Sequence, residues 1–174
     1  MRLLVVIAHP DDESFGCGSV LARASAAGDH TAVLCATRGE AGESRIPTDD
    51  LATLREAELR AAADILGVGV VQLLDHTDSD MTGEPGPGSL AATEPSLIAG
   101  EVRAVIESFR PDVVVTLDAS DGHRDHVIVR DATLSAVDTA SHRPAATYLW
   151  CLARSSMARW AHHAAGDRLS LIHI

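Results

Sequence analysis

The sequence predicts an α/β fold in which a doubly wound, mostly parallel β-sheet is covered by helices on both faces. Short apolar runs rich in Val and Ile alternate with segments of helical pattern, and the intervals between the first four runs are long enough for crossover helices. The 174 residues, 46% of them hydrophobic, suffice for one domain with a sizeable core and are too few for two comfortable ones. We therefore expect a single domain over residues 1–168.

Five strands are predicted from the apolar runs. The first, residues 3–8, is continuous and is followed by a proline and acidic residues, which is typical of a strand buried on both faces. Similar runs predict the other strands at residues 31–37, 70–75, 112–118 and 146–151. Connections of crossover length predict that these strands run parallel.

Four helices are predicted to cover this sheet. They span residues 16–27, 51–66, 95–109 and about 124–139. Gly67 stands where a helix-terminating glycine is expected after the second helix. Residues 81–92 contain three glycines and two prolines and are predicted to form a flexible loop.

Composition and charge argue against some classes of partner and indicate the cellular compartment. The formal net charge of −11 would repel nucleic acid, and no apolar stretch approaches the roughly 20 residues that span a bilayer. Residues 3–8 lack the length and the basic segment of a cleavable signal, which predicts a cytoplasmic protein. The three cysteines form no C-x-x-C pair, so neither a disulfide framework nor a thiolate zinc site is indicated. No pattern indicates an oligomeric state.

A first polar cluster, residues 9–13 with the sequence HPDDE, directly follows the first predicted strand. Zinc suits this cluster, because a catalytic site takes two or three His or carboxylate ligands and keeps a position open for water. His9 and Asp12 could supply two ligands from one turn, while Asp11 points in another direction. The alternative is that residues 11–14 only cap the following helix, where carboxylates are favourable near the positive end of the helix dipole.

A second polar cluster, residues 121–126 with the sequence DGHRDH, follows the fourth predicted strand and opens the fourth helix. His123 and His126 are three residues apart and share a face of the first helical turn. Alone, the pair could be a pH-sensitive cap or a solvated helix start. In a doubly wound sheet, however, the first and fourth strands are commonly neighbours at the point where strand order reverses, and ligands bind there. The two clusters are therefore expected to meet.

Together the two clusters resemble the motif pair of the LmbE/PIG-L family of zinc-dependent N-deacetylases. The resemblance extends over about residues 1–148 and implies an LmbE-like, Rossmann-like fold. Supporting similarities lie after the second strand, in the second helix and after the third strand: residues 37–42, Arg55, Glu58, residues 66–68, Asp78 and Ser79.

The resemblance implies a role for each residue of the site. His9, Asp12 and His126 would ligate zinc, which agrees with the ligand count of an open catalytic site. Asp11 would be the general base for water, and His123 would stabilise the developing oxyanion as a protonated imidazole. Asp125 would orient a histidine or raise its pKa, although an exposed acidic side chain on a helix is an equal alternative.

Substrate contacts are implied for Arg55 and Asp78, which occupy positions similar to sugar-contacting residues of family members. Against this, an Arg on a helix is usually solvated, and Asp78 lies in a segment that would be polar in any loop. One departure from the family is Asp121, which stands two residues before His123, where some members carry a tyrosine.

The C-terminal end is the second departure. Family members commonly continue with a segment that helps to wall the substrate pocket, so the domain is expected to be truncated. Residues 169–174 read LSLIHI, which a transposon adapter widely used in DNA library preparation also encodes. We hypothesise an adapter-derived, non-native tail; native codons for these residues in the parent gene would refute it.

The predicted function is zinc-dependent removal of an acetyl group from a small N-acetylated amino sugar or its conjugate. A zinc amidase that cleaves a larger thiol or glycoside conjugate is one alternative. A non-catalytic α/β module that binds metal or nucleotide, with clusters that only cap helices, is another, and an inactive fragment that still binds metal is a third. A mixed His/carboxylate set also accepts iron or another divalent ion.

Overall fold

The computed structural model describes residues 1–42, 44 and 48–151. Five parallel strands form one sheet in the order β3-β2-β1-β4-β5. The strands are β1 (Arg2–Ile7), β2 (His30–Cys35), β3 (Val70–Leu73), β4 (Val113–Leu117) and β5 (Ala146–Trp150). The helices are α1 (Asp12–Ala26), α2 (Leu51–Leu66), α3 (Pro95–Phe109) and α4 (Arg124–Thr139), with a short 3₁₀ helix at Leu90–Ala92.

The predicted α/β fold is confirmed, and β1 explains why it forms. Alternate residues of this strand face opposite sides of the sheet and enter two different cores. Leu3, Val5 and Ile7 pack with α1 and α2, whereas Leu4 and Val6 pack with α3 and α4. A strand buried on both faces has no position for a polar side chain, which is why its sequence is a continuous apolar run.

Helix ends follow local chemistry. Gly67 terminates α2 with φ 72°, a left-handed conformation that glycine adopts without steric cost. At the other end of α2, the Asp50 carboxylate accepts the Thr53 backbone N–H at 2.9 Å. Asp11 occupies the corresponding position before α1, yet its side chain makes no capping hydrogen bond. The capping interpretation of the first cluster is therefore wrong for Asp11.

Most element boundaries lie within two residues of the sequence-based predictions, but two segments differ by more. The helix predicted from residue 16 begins at Asp12. The predicted start is too late because Asp12 and Glu13 are polar residue types that suggest a loop, although both are buried in the helix. The loop predicted over residues 81–92 ends in the 3₁₀ helix, where Leu90 is fully buried. The Thr77 N–H donates to the Gly88 carbonyl and the Leu90 N–H to the Thr77 carbonyl, so this end of the loop is fixed to the segment after β3.

The topology places the site at one edge of the sheet. From β1 the chain builds outward to β2 and β3, then crosses to β4 on the other side of β1, so strand order reverses between β1 and β4. Both clusters follow the carboxyl ends of these two strands.

In the described part of the chain, no helix has the length and apolar character that crossing a bilayer requires. The predicted domain end at residue 168 and the tail at residues 169–174 lie outside the described residues.

Candidate metal centre

The first cluster turns back on itself directly after β1. Asp12 is the first residue of α1, and its Oδ2 accepts the backbone N–H groups of Ala8 at 3.2 Å and His9 at 3.0 Å. These two bonds hold the carboxylate over the end of the strand. The imidazole of His9 is nearly buried, and its Nδ1 lies 3.9 Å from Asp12 Oδ2.

The second cluster meets the first, as the topology predicts. His126 Nε2 lies 3.5 Å from Asp12 Oδ1, and the ring centroids of His9 and His126 are 5.3 Å apart. The His123 ring lies 4.6 Å from each of these two rings. Asp12 therefore has one imidazole near each of its carboxylate oxygens.

The hydrogen bonds of the two histidines determine which ring nitrogen carries a proton. A carboxylate can only accept, so His9 Nε2, 3.2 Å from Asp125 Oδ2, is the protonated nitrogen. By the same reasoning, His126 Nδ1 is protonated, since it lies 2.6 Å from Asp121 Oδ2. In the neutral imidazole form that binds a metal, the lone pairs are then on Nδ1 of His9 and Nε2 of His126, and both nitrogens face Asp12.

A divalent cation fits this arrangement of donor atoms. Two imidazole lone pairs and a carboxylate converge without a proton between them, a disposition that is unfavourable unless a positive charge lies among them. Catalytic zinc sites have three protein ligands and one open position. In such sites, each ligating histidine commonly donates its other ring N–H to a group such as a carboxylate, as His9 and His126 do here. The residues present therefore fit zinc.

Within the described residues, two groups of three side chains bring donor atoms within 4.8 Å of one another, and the predicted set of His9, Asp12 and His126 is not one of them. One combines His9 with His123 and His126, and the other combines His9 with Asp78 and Asp125. In the first group, His123 Nδ1 is already engaged, since it accepts the Asp125 backbone N–H at 3.2 Å. In the second group, Asp125 Oδ2 accepts the Ser79 backbone N–H at 3.0 Å and contacts His9 Nε2. The ligand set of His9, Asp12 and His126 stays a prediction beside these two groups.

The electrostatics of His9 also favour a cation. Burial alone would lower the pKa of this imidazole, but the hydrogen bond to Asp125 and the charges of Asp12 and Asp78 raise it above the usual value. The carboxylates around His9 therefore create a surplus of negative charge at the site.

His123 differs from its expected state. Burial and the neighbouring His9 and His126 lower the pKa of His123 to about 4, and its Nδ1 accepts a backbone N–H. The ring is thus a neutral imidazole with its proton on Nε2, and not the expected imidazolium. The capping interpretation holds in part, because His123 is the N-cap of α4 and its side chain makes the capping bond.

Asp11 lies at a strained corner held by Arg55. Its φ of 106° is outside the range that L-residues ordinarily adopt. Arg55 Nη2 donates to the Pro10 carbonyl at 2.6 Å and to Asp11 Oδ2 at 2.7 Å. Partial burial, reinforced by the Asp12 charge and opposed by Arg55, raises the pKa of Asp11 to about 7. A carboxyl group that titrates near neutrality suits a general base.

Arg55 itself is not the solvated helix residue that its position suggests. Its side chain is 16% exposed, and Nη1 donates to the Gly39 carbonyl at 2.7 Å. A Cβ at Gly39 or Gly42 would collide with the guanidinium, so a larger residue at either position would displace Arg55 from these contacts.

Asp125 and Asp78 both lie beside His9. Asp125 is completely buried, so the alternative of an exposed acidic residue on a helix is wrong. Its hydrogen bonds with His9 and Ser79 lower the pKa of Asp125 despite the opposing effect of burial. The side chain of Asp78 is 6% exposed, and its Oδ2 lies 3.8 Å from His9 Nε2.

Sequence reasoning missed two contributors to the site. The sequence presents Asp121 as a departure from the family that bears on oxyanion stabilisation or substrate preference, whereas its oxygens contact His126 Nδ1 and the His123 backbone N–H. An acidic residue in the turn before a pair of histidines was a usable signal. Ser79, named above only as a similarity to the family, contributes through its backbone amide, which every residue type except proline has, so residue type gives no signal for this bond.

The chain is similar in sequence to known proteins. The model of the PIG-L family, described as GlcNAc-PI de-N-acetylase, matches residues 4–137. A protein of Kineococcus radiotolerans named 1D-myo-inositol 2-acetamido-2-deoxy-alpha-D-glucopyranoside deacetylase is 40% identical over 164 residues, covering 80% of this chain and 45% of the relative. The chain spans about half the length of the curated relatives that it matches.

Solved structures share the fold. A conserved protein from Thermus thermophilus superposes with a TM-score of 0.67 at 30% identity, covering 85% of this chain and 65% of that one. The zinc-inhibited form of teicoplanin deacetylase superposes with a TM-score of 0.66 at 26% identity, covering 79% of this chain and 64% of that one. A relative by sequence and a neighbour by structure are thus both named as deacetylases.

Proposed function

The chain belongs to the PIG-L family, and from this premise we propose that it is a zinc-dependent hydrolase that removes the acetyl group from an N-acetylated amino sugar or its conjugate. The observation that carries the proposal is the convergence of His9 Nδ1 and His126 Nε2 on the two oxygens of Asp12. Such a three-ligand set, next to a carboxyl group with a pKa of about 7, is suited to amide hydrolysis.

The names of the relatives support the substrate class. Those curated proteins are named deacetylases of 1D-myo-inositol 2-acetamido-2-deoxy-alpha-D-glucopyranoside, an N-acetylglucosaminyl inositol. This conjugate is therefore the first compound to test. The teicoplanin deacetylase acts, by its name, on a larger molecule, so a panel of substrates should include bulkier N-acetyl compounds.

Zinc would be held by His9, Asp12 and His126, and when bound it would acidify water and polarise the acetamide carbonyl. Asp11, next to this set, would take a proton from the attacking water. Its alignment is supported by the two bonds that Arg55 donates to the corner at Pro10 and Asp11. The same carboxyl group can then return the proton to the leaving amine.

His123 would act on the carbonyl group of the substrate, and Asp125 would act on the metal ligand His9. The Nε2–H of neutral His123 is a donor that could stabilise the developing oxyanion, because its other nitrogen is occupied by the Asp125 backbone N–H. The Asp125 carboxylate would orient His9. Asp78 remains a predicted substrate-binding residue, and its carboxylate lies beside His9.

The test of the proposal is acetate release by the full chain from N-acetylglucosaminyl inositol and a panel of other N-acetylglucosamine conjugates. We expect release with the zinc-loaded protein, loss after metal depletion and recovery when zinc is restored. A family member whose chemistry requires the cation cannot hydrolyse the amide at a measurable rate without it.

Product analysis and metal analysis separate the alternatives. An amidase for a larger thiol or glycoside conjugate would release a larger amine product without acetate. A nucleotide-binding module whose clusters only cap helices would purify without stoichiometric zinc and would tolerate loss of His126. A rate that does not depend on zinc depletion would contradict the proposal itself.

Arg55 gives a second prediction. Replacing Arg55 with Lys keeps the positive charge but removes the fork that bonds Pro10, Asp11 and Gly39 together, so we expect kcat to fall about 10- to 100-fold with little change in KM. Steady-state kinetics would measure this. The sugar contact implied by the family resemblance would instead raise KM. Arg60→Lys, a more exposed arginine on the same helix, is the matched control and should leave both constants unchanged.

A cytoplasmic location and a single domain over residues 1–168 remain predictions. The buried, free thiols of Cys17 and Cys35 are consistent with a reducing compartment. The adapter origin of residues 169–174 remains a hypothesis about the gene.

A further inference from the structure

Asp121 lies in the turn between β4 and α4, where it contacts both histidines of the second cluster. We propose that Asp121 is a positioning residue that fixes the proton of His126 on Nδ1 and thereby keeps Nε2 available for the metal. The inference rests on the proposed function only in taking His126 as a metal ligand. The bond itself is a property of this chain's own residues.

The geometry of Asp121 supports two simultaneous contacts. Its Oδ2 lies 2.6 Å from His126 Nδ1, a short distance that is typical of a charge-assisted hydrogen bond. Its Oδ1 accepts the His123 backbone N–H at 3.0 Å. One carboxylate thus ties the first turn of α4 to the imidazole of His126 and limits the rotation of that ring.

The position of the proton matters because of what lies on the other side of the ring. His126 Nε2 is 3.5 Å from Asp12 Oδ1. If Nδ1 lost its acceptor, the proton could move to Nε2 and point at Asp12, in the space that a cation would occupy. A carboxylate at Nδ1 opposes this, since it can accept a hydrogen bond but cannot donate one.

The site then uses the same arrangement twice. Asp125 contacts the non-ligating nitrogen of His9, and Asp121 contacts the non-ligating nitrogen of His126. The two carboxylates differ in exposure, because Asp125 is fully buried whereas the Asp121 side chain is 34% exposed. Asp121 can therefore be replaced with less risk to the fold, which makes it the better residue to test.

The experiment measures zinc affinity of the metal-depleted full chain by competition with a chromogenic chelator. Loss of a carboxylate behind a ligating histidine typically weakens metal binding 10- to 100-fold, and we expect about this loss for Asp121→Asn. Asn offers either an oxygen or an NH₂ group to Nδ1 and so loses the preference for one tautomer. Asp121→Ala removes the acceptor and should bind zinc at least as weakly. Asp131→Asn, at an exposed position of α4, removes the same charge and should bind zinc like the native chain.

The position of the proton on the His126 ring can be measured independently of zinc affinity. Side-chain ¹⁵N NMR of the metal-free chain should find the His126 proton on Nδ1, and Asp121→Asn should shift the tautomer population towards Nε2–H. An unchanged tautomer in Asp121→Asn, or zinc affinity equal to that of the Asp131→Asn control, would overturn the proposal. If the native chain bound no zinc, the proposed function would fail, while the NMR comparison would still decide whether Asp121 positions the ring.

Discussion

Asp11→Asn should lower kcat for acetate release by about 10²- to 10⁴-fold, which corresponds to about 3 to 5 kcal/mol in the activation barrier. The amide of Asn retains the shape of the side chain but cannot take a proton from water. Because Asp11 is not in the predicted ligand set, zinc binding should stay stoichiometric and KM should change little. Steady-state kinetics and metal analysis on the same preparation would measure both effects.

The control for Asp11 is a charge-matched substitution away from the site. Asp64→Asn, on the exposed face of α2, removes one negative charge and should leave kcat unchanged. Loss of zinc together with activity in Asp11→Asn would mean that Asp11 is a ligand. Native kcat in that variant would exclude Asp11 as the base.

The fold was largely predictable because its central strand is buried on both faces. A run such as residues 3–8 has few structural alternatives, and crossover-length connections then require parallel neighbours. The start of α1 was less predictable. Asp12 and Glu13 are polar and yet buried, since their carboxylates bond backbone amides of their own turn, and apolar periodicity cannot reveal a helix that begins in this way.

The site was predictable at the level of which clusters meet and less so at the level of individual bonds. The reversal of strand order brings the ends of β1 and β4 together whatever the side chains are. The bond from Arg55 to Asp11 depends on the direction of a long side chain across a separation of 44 residues. The protonation of His123 depends on two neighbouring rings and a backbone N–H, which spacing along the chain does not encode.

His126→Ala should abolish stoichiometric zinc binding and with it acetate release. Removal of a supporting residue already weakens metal sites 10- to 100-fold, so removal of a ligand should weaken binding by more than about 100-fold. Two protein ligands, His9 and Asp12, would remain. Thermal unfolding offers a readout besides activity: zinc at 1,000 times its Kd stabilises a native site by about 4 kcal/mol, and this zinc-dependent rise in Tm should disappear in the variant.

His30→Ala serves as the matched control for this experiment, because His30 is exposed at the start of β2, at the opposite end of the sheet from the site. It should keep the zinc-dependent rise in Tm and the native kcat. The comparison also distinguishes loss of the site from loss of the fold, since His126→Ala should still unfold cooperatively without zinc. A variant that kept both tight zinc binding and activity would require the metal to lie elsewhere, and the His9/Asp78/Asp125 group would then become the ligand set to test.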